Sequence, residues 1–302
     1  MTGGCGFLGS HLARELLAHG FDTTLFDIVR QPAVDIPDGH ASLRTVQGSV
    51  NDVDAVQTVL AGANVVYHLA AIANPRACSE NPALARSVNV DGTRNVLEAA
   101  PDGAGFILLS SAAVYGPPRY LPIDEAHPLD GSDPYATTKK VAEELSREHT
   151  DRLDVVIVRN FNTYGPGQAL SFLIPQMIRQ ALTESRIEVW NGRPVRDYMY
   201  VDDATRALAE LAAQEGVTEA TLNLGSGNGR TVAEVARIIA QEFEGIALKE
   251  LNQPVTGSPA LVADNQRLRT AIRWRPDVGL EQGLRRTIAW YRERVRRAGP
   301  TQ

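Results

Sequence analysis

At 302 residues the chain can bury a large core, and its length favours one main domain with a smaller appended lobe. Hydrophobic residues make up 43% and charged residues 22%, which excludes disorder. A formal net charge of −6 without a basic run gives no electrostatic reason for a nucleic-acid or membrane partner. No apolar stretch reaches the roughly 18 residues of a bilayer span and the N-terminus has no leader-like pattern, so a cytoplasmic location is expected.

In chain order, a glycine-rich segment at 2–9 opens directly into a helical pattern over 7–19, with Leu8, Leu12 and Leu16 on one face and Gly20 as its stop. Segment 22–27 reads as a strand ending at Asp27. Short branched runs at 64–70, 105–110 and 154–159 read as further strands, separated by helical patterns at 82–100 and 134–150. This alternation predicts a doubly wound α/β fold around a parallel sheet of Rossmann type. The TYGPG stretch at 163–167 marks the expected start of the smaller lobe, giving a nucleotide-binding domain over 1–165 and a substrate lobe over 166–302. A segment near 198–226 returns to the first domain, and later helices are expected near 202–214, 231–242 and 279–296.

A glycine loop of this kind normally follows a buried strand, and only Met1 and Thr2 precede Gly3. The first strand is therefore expected to be missing, with the true start upstream. Of the 30 basic residues only Lys139, Lys140 and Lys249 are lysines, as GC-rich coding produces, so Met1 is read as a strand-ending valine codon taken for an initiator. Cys5 and Cys78 are far apart and the six histidines are scattered, so neither a disulfide nor a metal site is expected.

Gly3, Gly6 and Gly9 let the backbone turn tightly, approach a pyrophosphate and point helix N-terminal amides at it. Asp27, at the end of the second strand, can accept from both ribose hydroxyls and would repel a 2′-phosphate, which favours NAD over NADP. Tyr135 and Lys139 stand one helical turn apart on one face, an arrangement in which a nearby ammonium favours phenolate and readies the tyrosine to take a hydroxyl proton. Ser110-Ser111 ends a strand, where a hydroxyl opens into the ligand crevice. Asp124, Glu125 and His127 precede the tyrosine helix in a proline-bounded loop and read as loop polarity and capping.

The chain resembles the extended short-chain dehydrogenase/reductases, in particular their NAD-dependent epimerase/dehydratase branch. The motifs that carry the resemblance are TGGCGFLG at 2–9, HLAA at 68–71, NVDGT at 89–93, SSAAVYG at 110–116, PYATTK at 134–139, RNFNTYGPG at 159–167, RDYMYVDD at 196–203 and NLGSG at 223–227. The resemblance implies that Ser111 holds the substrate hydroxyl, Tyr135 is the acid/base, and Lys139 binds the nicotinamide ribose. It also implies a cofactor lining of Gly3, Gly6, Phe7, Leu8, Gly9, Asp27, Ser49, Val50, Leu69, Ala70, Ala71 and Asn89. Asn162 and Arg196 would meet a substrate diphosphate, and the protein would be a homodimer.

Dehydratases of this branch place an Asp-Glu pair after the serine, and the decarboxylases keep the glutamate. Here Ala112-Ala113 follow Ser111, so the general acid of dehydration is missing. The reading is a C4 epimerase of a nucleoside-diphosphate sugar, similar to the UDP-glucose 4-epimerases. The alternatives are a sugar-nucleotide reductase or dehydrogenase, and a degenerate NAD-binding regulatory protein. Two departures stand out: Ser49 where relatives often carry aspartate, and an arginine-free segment at 252–258 where relatives carry an arginine on a nucleotide phosphate. Either the sugar nucleotide is atypical, or another residue such as Arg193 substitutes for that arginine.

Overall fold

The computed structural model describes residues 1–37, 42–214, 217, 219–255 and 257–298; Thr256 of the arginine-free segment lies outside them. Four parallel strands, Val65–His68, Gly105–Ser111, Asp154–Asn160 and Ala220–Leu224, form the centre of the sheet in that order. Successive side chains of a strand point to opposite faces, and the core follows that rule. Ile107, Val156 and Val158 join one apolar cluster, with Leu8 and Leu12 of helix Phe7–Ala18 and Leu208 of helix Val201–Ala213. Phe106, Leu108, Val155 and Ile157 join another, with Val96 of helix Gly92–Ala99 and Leu145 of helix Pro134–Arg147. Both faces are covered, as the doubly wound reading requires.

A second parallel pair, Thr23–Asp27 with Leu43–Gln47, extends the sheet on the other side of residues 1–3. Thr2 bridges both Phe26 and His68. Its amide donates to the Tyr67 carbonyl at 2.9 Å, Leu69 N–H donates to its carbonyl at 3.1 Å, and Phe26 N–H donates to the Met1 carbonyl at 2.9 Å. The position expected to lack its strand is thus occupied by two residues that pair to left and right.

The helix expected over 82–100 is three pieces: Pro82–Arg86, a widened π-type turn at Ser87–Asp91, and Gly92–Ala99. The widening occurs where the Asn89 side chain is drawn inward to hydrogen-bond partners on other elements, a conflict that hydrophobic spacing does not register. The other helices lie close to their expected spans, and Gly20 takes the left-handed conformation that ends the first of them.

After residue 161 the chain builds a smaller sheet from Asn162–Tyr164, Val195–Tyr200, Gly229–Thr231 and Ala260–Leu261. Strand Ala220–Leu224 meanwhile returns to the large sheet. Trp274 and Leu284 share one buried cluster with Leu8 and Leu208, so the later segments close over the same core.

Candidate active site

Asp27, His68 and Ser111 all lie at the carboxyl ends of parallel strands, the edge at which open α/β sheets bind ligands. The glycine loop sits there too, and its three glycines have different reasons to be glycine. Gly3 has φ +67°, and a Cβ on it would lie 2.7 Å from the Ala70 nitrogen; a Cβ on Gly9 would lie 2.4 Å from the Gly3 carbonyl oxygen. A Cβ on Gly6 would meet only that same oxygen, at 3.2 Å, and Gly6 opens the helix without any side-chain cap. The first helical amides therefore remain available to an anion. Gly9→Ala is expected to cost about 1–3 kcal/mol of stability through overpacking, read as a lower urea midpoint. Gly6→Ala is expected to keep that midpoint and to lose NAD on dialysis.

The Asp27 carboxylate accepts from Cys5 N–H at 3.0 Å and from Val29 N–H at 3.2 Å, so it braces the glycine loop and keeps lone pairs for a further donor. Arg30 is exposed. Leu69 and Ala70 run past Gly3 in backbone contact. Val50 is buried, and Ser49 Oγ accepts from Asn51 N–H at 3.2 Å. Phe7 and Leu8 open the first helix. A glycine cradle, uncapped amides and a strand-end carboxylate together fit a dinucleotide.

Asp133 caps the helix that carries Tyr135, accepting from Ala136 N–H at 2.9 Å, with Pro134 in its first turn. Ser111 stands beside the Tyr135 hydroxyl, where it favours the phenolate, and its Oγ accepts from Ala113 N–H at 3.2 Å. Lys139 is buried and donates from Nζ to the Leu109 carbonyl at 2.8 Å. Burial pulls its ammonium down to about 8, against the opposing charges of Glu143 and Cys78. The tyrosine departs from expectation: burial pushes its phenol up to about 12, and Ser111 only partly opposes this. Spacing places the ammonium on the same helix face, and Lys139 directs one of its three donors at a backbone carbonyl.

Asn89, only 1% exposed, accepts from Ile72 N–H at 2.7 Å and donates from Nδ2 to the Ile72 carbonyl at 3.2 Å and to Thr138 Oγ at 3.0 Å. Both amide hydrogens and the oxygen are engaged within the protein, so its side chain holds the loop after Ala71.

Asn162 and Arg196 meet in a cavity of about 260 Å³ that is also lined by Trp190, Asn191, Tyr198 and Val255. Arg196 donates to the Val195 carbonyl at 2.8 Å. Tyr198 is 7% exposed and its hydroxyl has no hydrogen-bond partner among the described residues. A buried unpaired hydroxyl beside a guanidinium is suited to an anionic oxygen. Val255 stands within the arginine-free segment, and Arg193 is exposed beside the cavity.

The sequence model of the NAD dependent epimerase/dehydratase family matches residues 1–225. The chain belongs to this family. Among its curated relatives, a UDP-N-acetyl-alpha-D-glucosaminuronate decarboxylase of Bacillus cytotoxicus is 31% identical, the match spanning 97% of each chain. A UDP-glucuronate 4-epimerase of Thermodesulfobacterium geofontis is 29% identical across 98% of this chain and 96% of its own. The solved structure of MoeE5 in complex with UDP-glucuronic acid and NAD superposes with a TM-score of 0.86 at 28% identity, over 97% of this chain and 98% of that one. The chain is thus an NAD-dependent enzyme of the nucleotide-sugar epimerase, dehydratase and decarboxylase type.

Two residues in this epimerase/dehydratase chain escaped the sequence reading. Tyr198 lies within RDYMYVDD, but nothing in the motif says that its hydroxyl lacks a partner. His68 opens HLAA, and burial pushes its imidazole down to about 3, with Lys139 and the N-terminal ammonium adding to the effect. It lies between Thr2 Oγ, 2.7 Å from Nδ1, and Thr93 Oγ, 2.9 Å from Nε2. Thr93 gives its own proton to the Asn89 carbonyl at 2.7 Å, so the neutral ring must donate from Nε2 and accept at Nδ1. Glu125 and His127 are loop supports, as expected: Glu125 accepts from Asn223 N–H at 2.7 Å and His127 from Arg119 N–H at 2.9 Å.

Proposed function

We propose that this enzyme inverts C4 of a nucleoside-diphosphate sugar, with Ser111, Tyr135 and Lys139 as its catalytic group. The observation that carries the reading is the position after Ser111. Ala113 packs in one apolar cluster with Tyr135, Cys78 and Ala85, so methyl groups stand where an eliminating or decarboxylating relative needs a carboxylate. The Ser111–Tyr135 pair can take a proton from a sugar hydroxyl and give it back, which is the proton work of an epimerisation. Bound NAD supplies a hydride acceptor and donor that ends each cycle unchanged.

In this reading Ser111 orients the reacting hydroxyl, Tyr135 exchanges its proton, and Lys139 keeps the tyrosine helix at the strand end while meeting the nicotinamide ribose. Gly3, Gly6, Gly9, Phe7 and Leu8 hold the pyrophosphate, Asp27 the adenosine ribose, Ser49 and Val50 the adenine side, and Leu69 to Ala71 the remaining cofactor wall. Arg196, Asn162 and Tyr198 take the substrate diphosphate. A homodimer in the cytoplasm, with a cofactor domain over 1–165 and a substrate lobe over 166–302, completes the proposal.

The test is incubation of purified protein with UDP-, GDP-, dTDP- and CDP-sugars. C4 inversion of one of them, with no net change in NAD or NADH, is expected. Stoichiometric NADH production would replace the epimerase with a dehydrogenase, and water loss or CO₂ release would overturn the argument from Ala112-Ala113.

A further inference from the structure

The buried groups that the proton chemistry leaves unused form one continuous hydrogen-bond chain. It begins at the cofactor loop, where Ala70 N–H lies 3.4 Å from Thr2 Oγ, and passes through His68 and Thr93 to the Asn89 carbonyl. The Asn89 side chain then clamps both backbone groups of Ile72 and donates to Thr138 Oγ at 3.0 Å. Thr138 in turn donates to the Tyr135 carbonyl at 2.8 Å. Cys78 adds a second donor to the Ile72 carbonyl, at 3.2 Å, and shares an apolar cluster with Tyr135. The widened turn at Ser87–Asp91 brings Asn89 into the middle of this chain. One end is therefore backbone that touches Gly3, and the other is the backbone of Tyr135 itself.

We propose that Thr138 is a positioning residue: its hydroxyl, accepting from Asn89 and donating to Tyr135, fixes the placement of the phenol relative to the loop 69–72. The proposal rests on Tyr135 being the acid/base of the preceding section. Thr138 is the link whose loss separates the two ends, because it is the contact between the Asn89 clamp and the tyrosine helix. Its hydroxyl can also be removed by a substitution that keeps the side-chain shape. A displacement of about 1 Å at a reacting group costs up to a hundredfold in rate, so a link of this kind acts on turnover more than on binding.

Thr138→Val keeps the shape without the hydroxyl, and Thr138→Ser keeps the hydroxyl. Three readouts are taken on the NAD-loaded protein: kcat and KM for the sugar found in the substrate panel, NAD retained after gel filtration, and the ultraviolet titration of Tyr135, obtained by difference from Tyr135→Phe. The groups facing that phenol are Ser111, Cys78 and Asp133, and they are untouched in both variants. In Thr138→Val, kcat is expected to fall about tenfold with KM and retained NAD unchanged, and the Tyr135 titration to move by about half a unit, with Thr138→Ser restoring both. Wild-type kcat and titration in Thr138→Val would overturn the proposal even if its melting temperature fell, since that is a packing role alone. A loss that serine does not restore would overturn it too. Unchanged turnover in Tyr135→Phe would instead remove the catalytic reading beneath it, and the titration decides the positioning claim even if no sugar in the panel reacts.

Discussion

Tyr135→Phe is expected to lower turnover about a thousandfold, in the range of a lost general acid/base, while leaving the fold and the bound NAD in place. The phenol is buried, with Ser111 beside its hydroxyl. Removing that hydroxyl leaves Ser111 Oγ still accepting from Ala113 N–H, so no buried polar atom is orphaned and the variant should melt close to the wild type. Steady-state kinetics and thermal unfolding on the same preparation check both halves. A fall in turnover matched by a large fall in melting temperature would mean that Tyr135 acts through packing, and an unchanged turnover would remove it from the mechanism.

The largest stability effect is expected two turns further along the same helix, at Glu143. This carboxylate is fully buried and accepts from Arg159 Nε at 3.0 Å, Arg159 Nη2 at 2.7 Å, Ser110 Oγ at 2.6 Å and Arg147 Nη2 at 2.9 Å. Arg159 is itself 3% exposed and reaches on to the Tyr115 hydroxyl at 3.1 Å. Glu143→Ala would leave a guanidinium uncompensated in the core, at a cost of about 3–5 kcal/mol, read as a lower urea midpoint. A cost below about 1 kcal/mol would mean that water replaces the carboxylate, against the burial described.

The same residue gives the pH dependence its sign. Burial pushes Glu143 upward, but the hydrogen bonds and charge of Arg159, with Ser110 and Arg147, outweigh it and hold the carboxyl below its usual value. A depressed carboxyl contributes stability that is present in full above the unfolded value of about 4.3 and is lost as pH falls through the folded value. Acid unfolding should therefore begin at higher pH in wild type than its surface charges alone require, and the Glu143→Ala variant should lose that acid-dependent component.

The doubly wound architecture was legible because periodicity reports burial, and burial on both sheet faces leaves few other arrangements. Ile107 and Phe106 differ by one residue and enter opposite cores, as alternation requires. The glycine loop, Asp27 and the Tyr135–Lys139 spacing were legible for a related reason, since each is a short-range pattern whose geometry the backbone supplies. What was not legible depends on partners far away in the chain. Asn89 matched a motif, but only the folded chain brings Ile72 and Thr138 to its amide. The direction of the Tyr135 shift turns on how much solvent the phenol loses, and the empty hydrogen-bonding capacity of Tyr198 is a property of its surroundings rather than of its motif.

The seam at Thr2 has a thermodynamic consequence. On one side of it lies the pair Thr23–Asp27 and Leu43–Gln47, on the other the four-stranded sheet, and Thr2 is the residue that bridges both. A dinucleotide seated on the glycine loop and Asp27 would press on that seam from above, so its binding energy becomes cohesion between the two halves. NAD would then be a clasp as well as a reagent. Stripping it would loosen the Asp27 half first, and amide hydrogen exchange would show that half opening as a separate cooperative unit while the strands from Val65 to Leu224 stay protected.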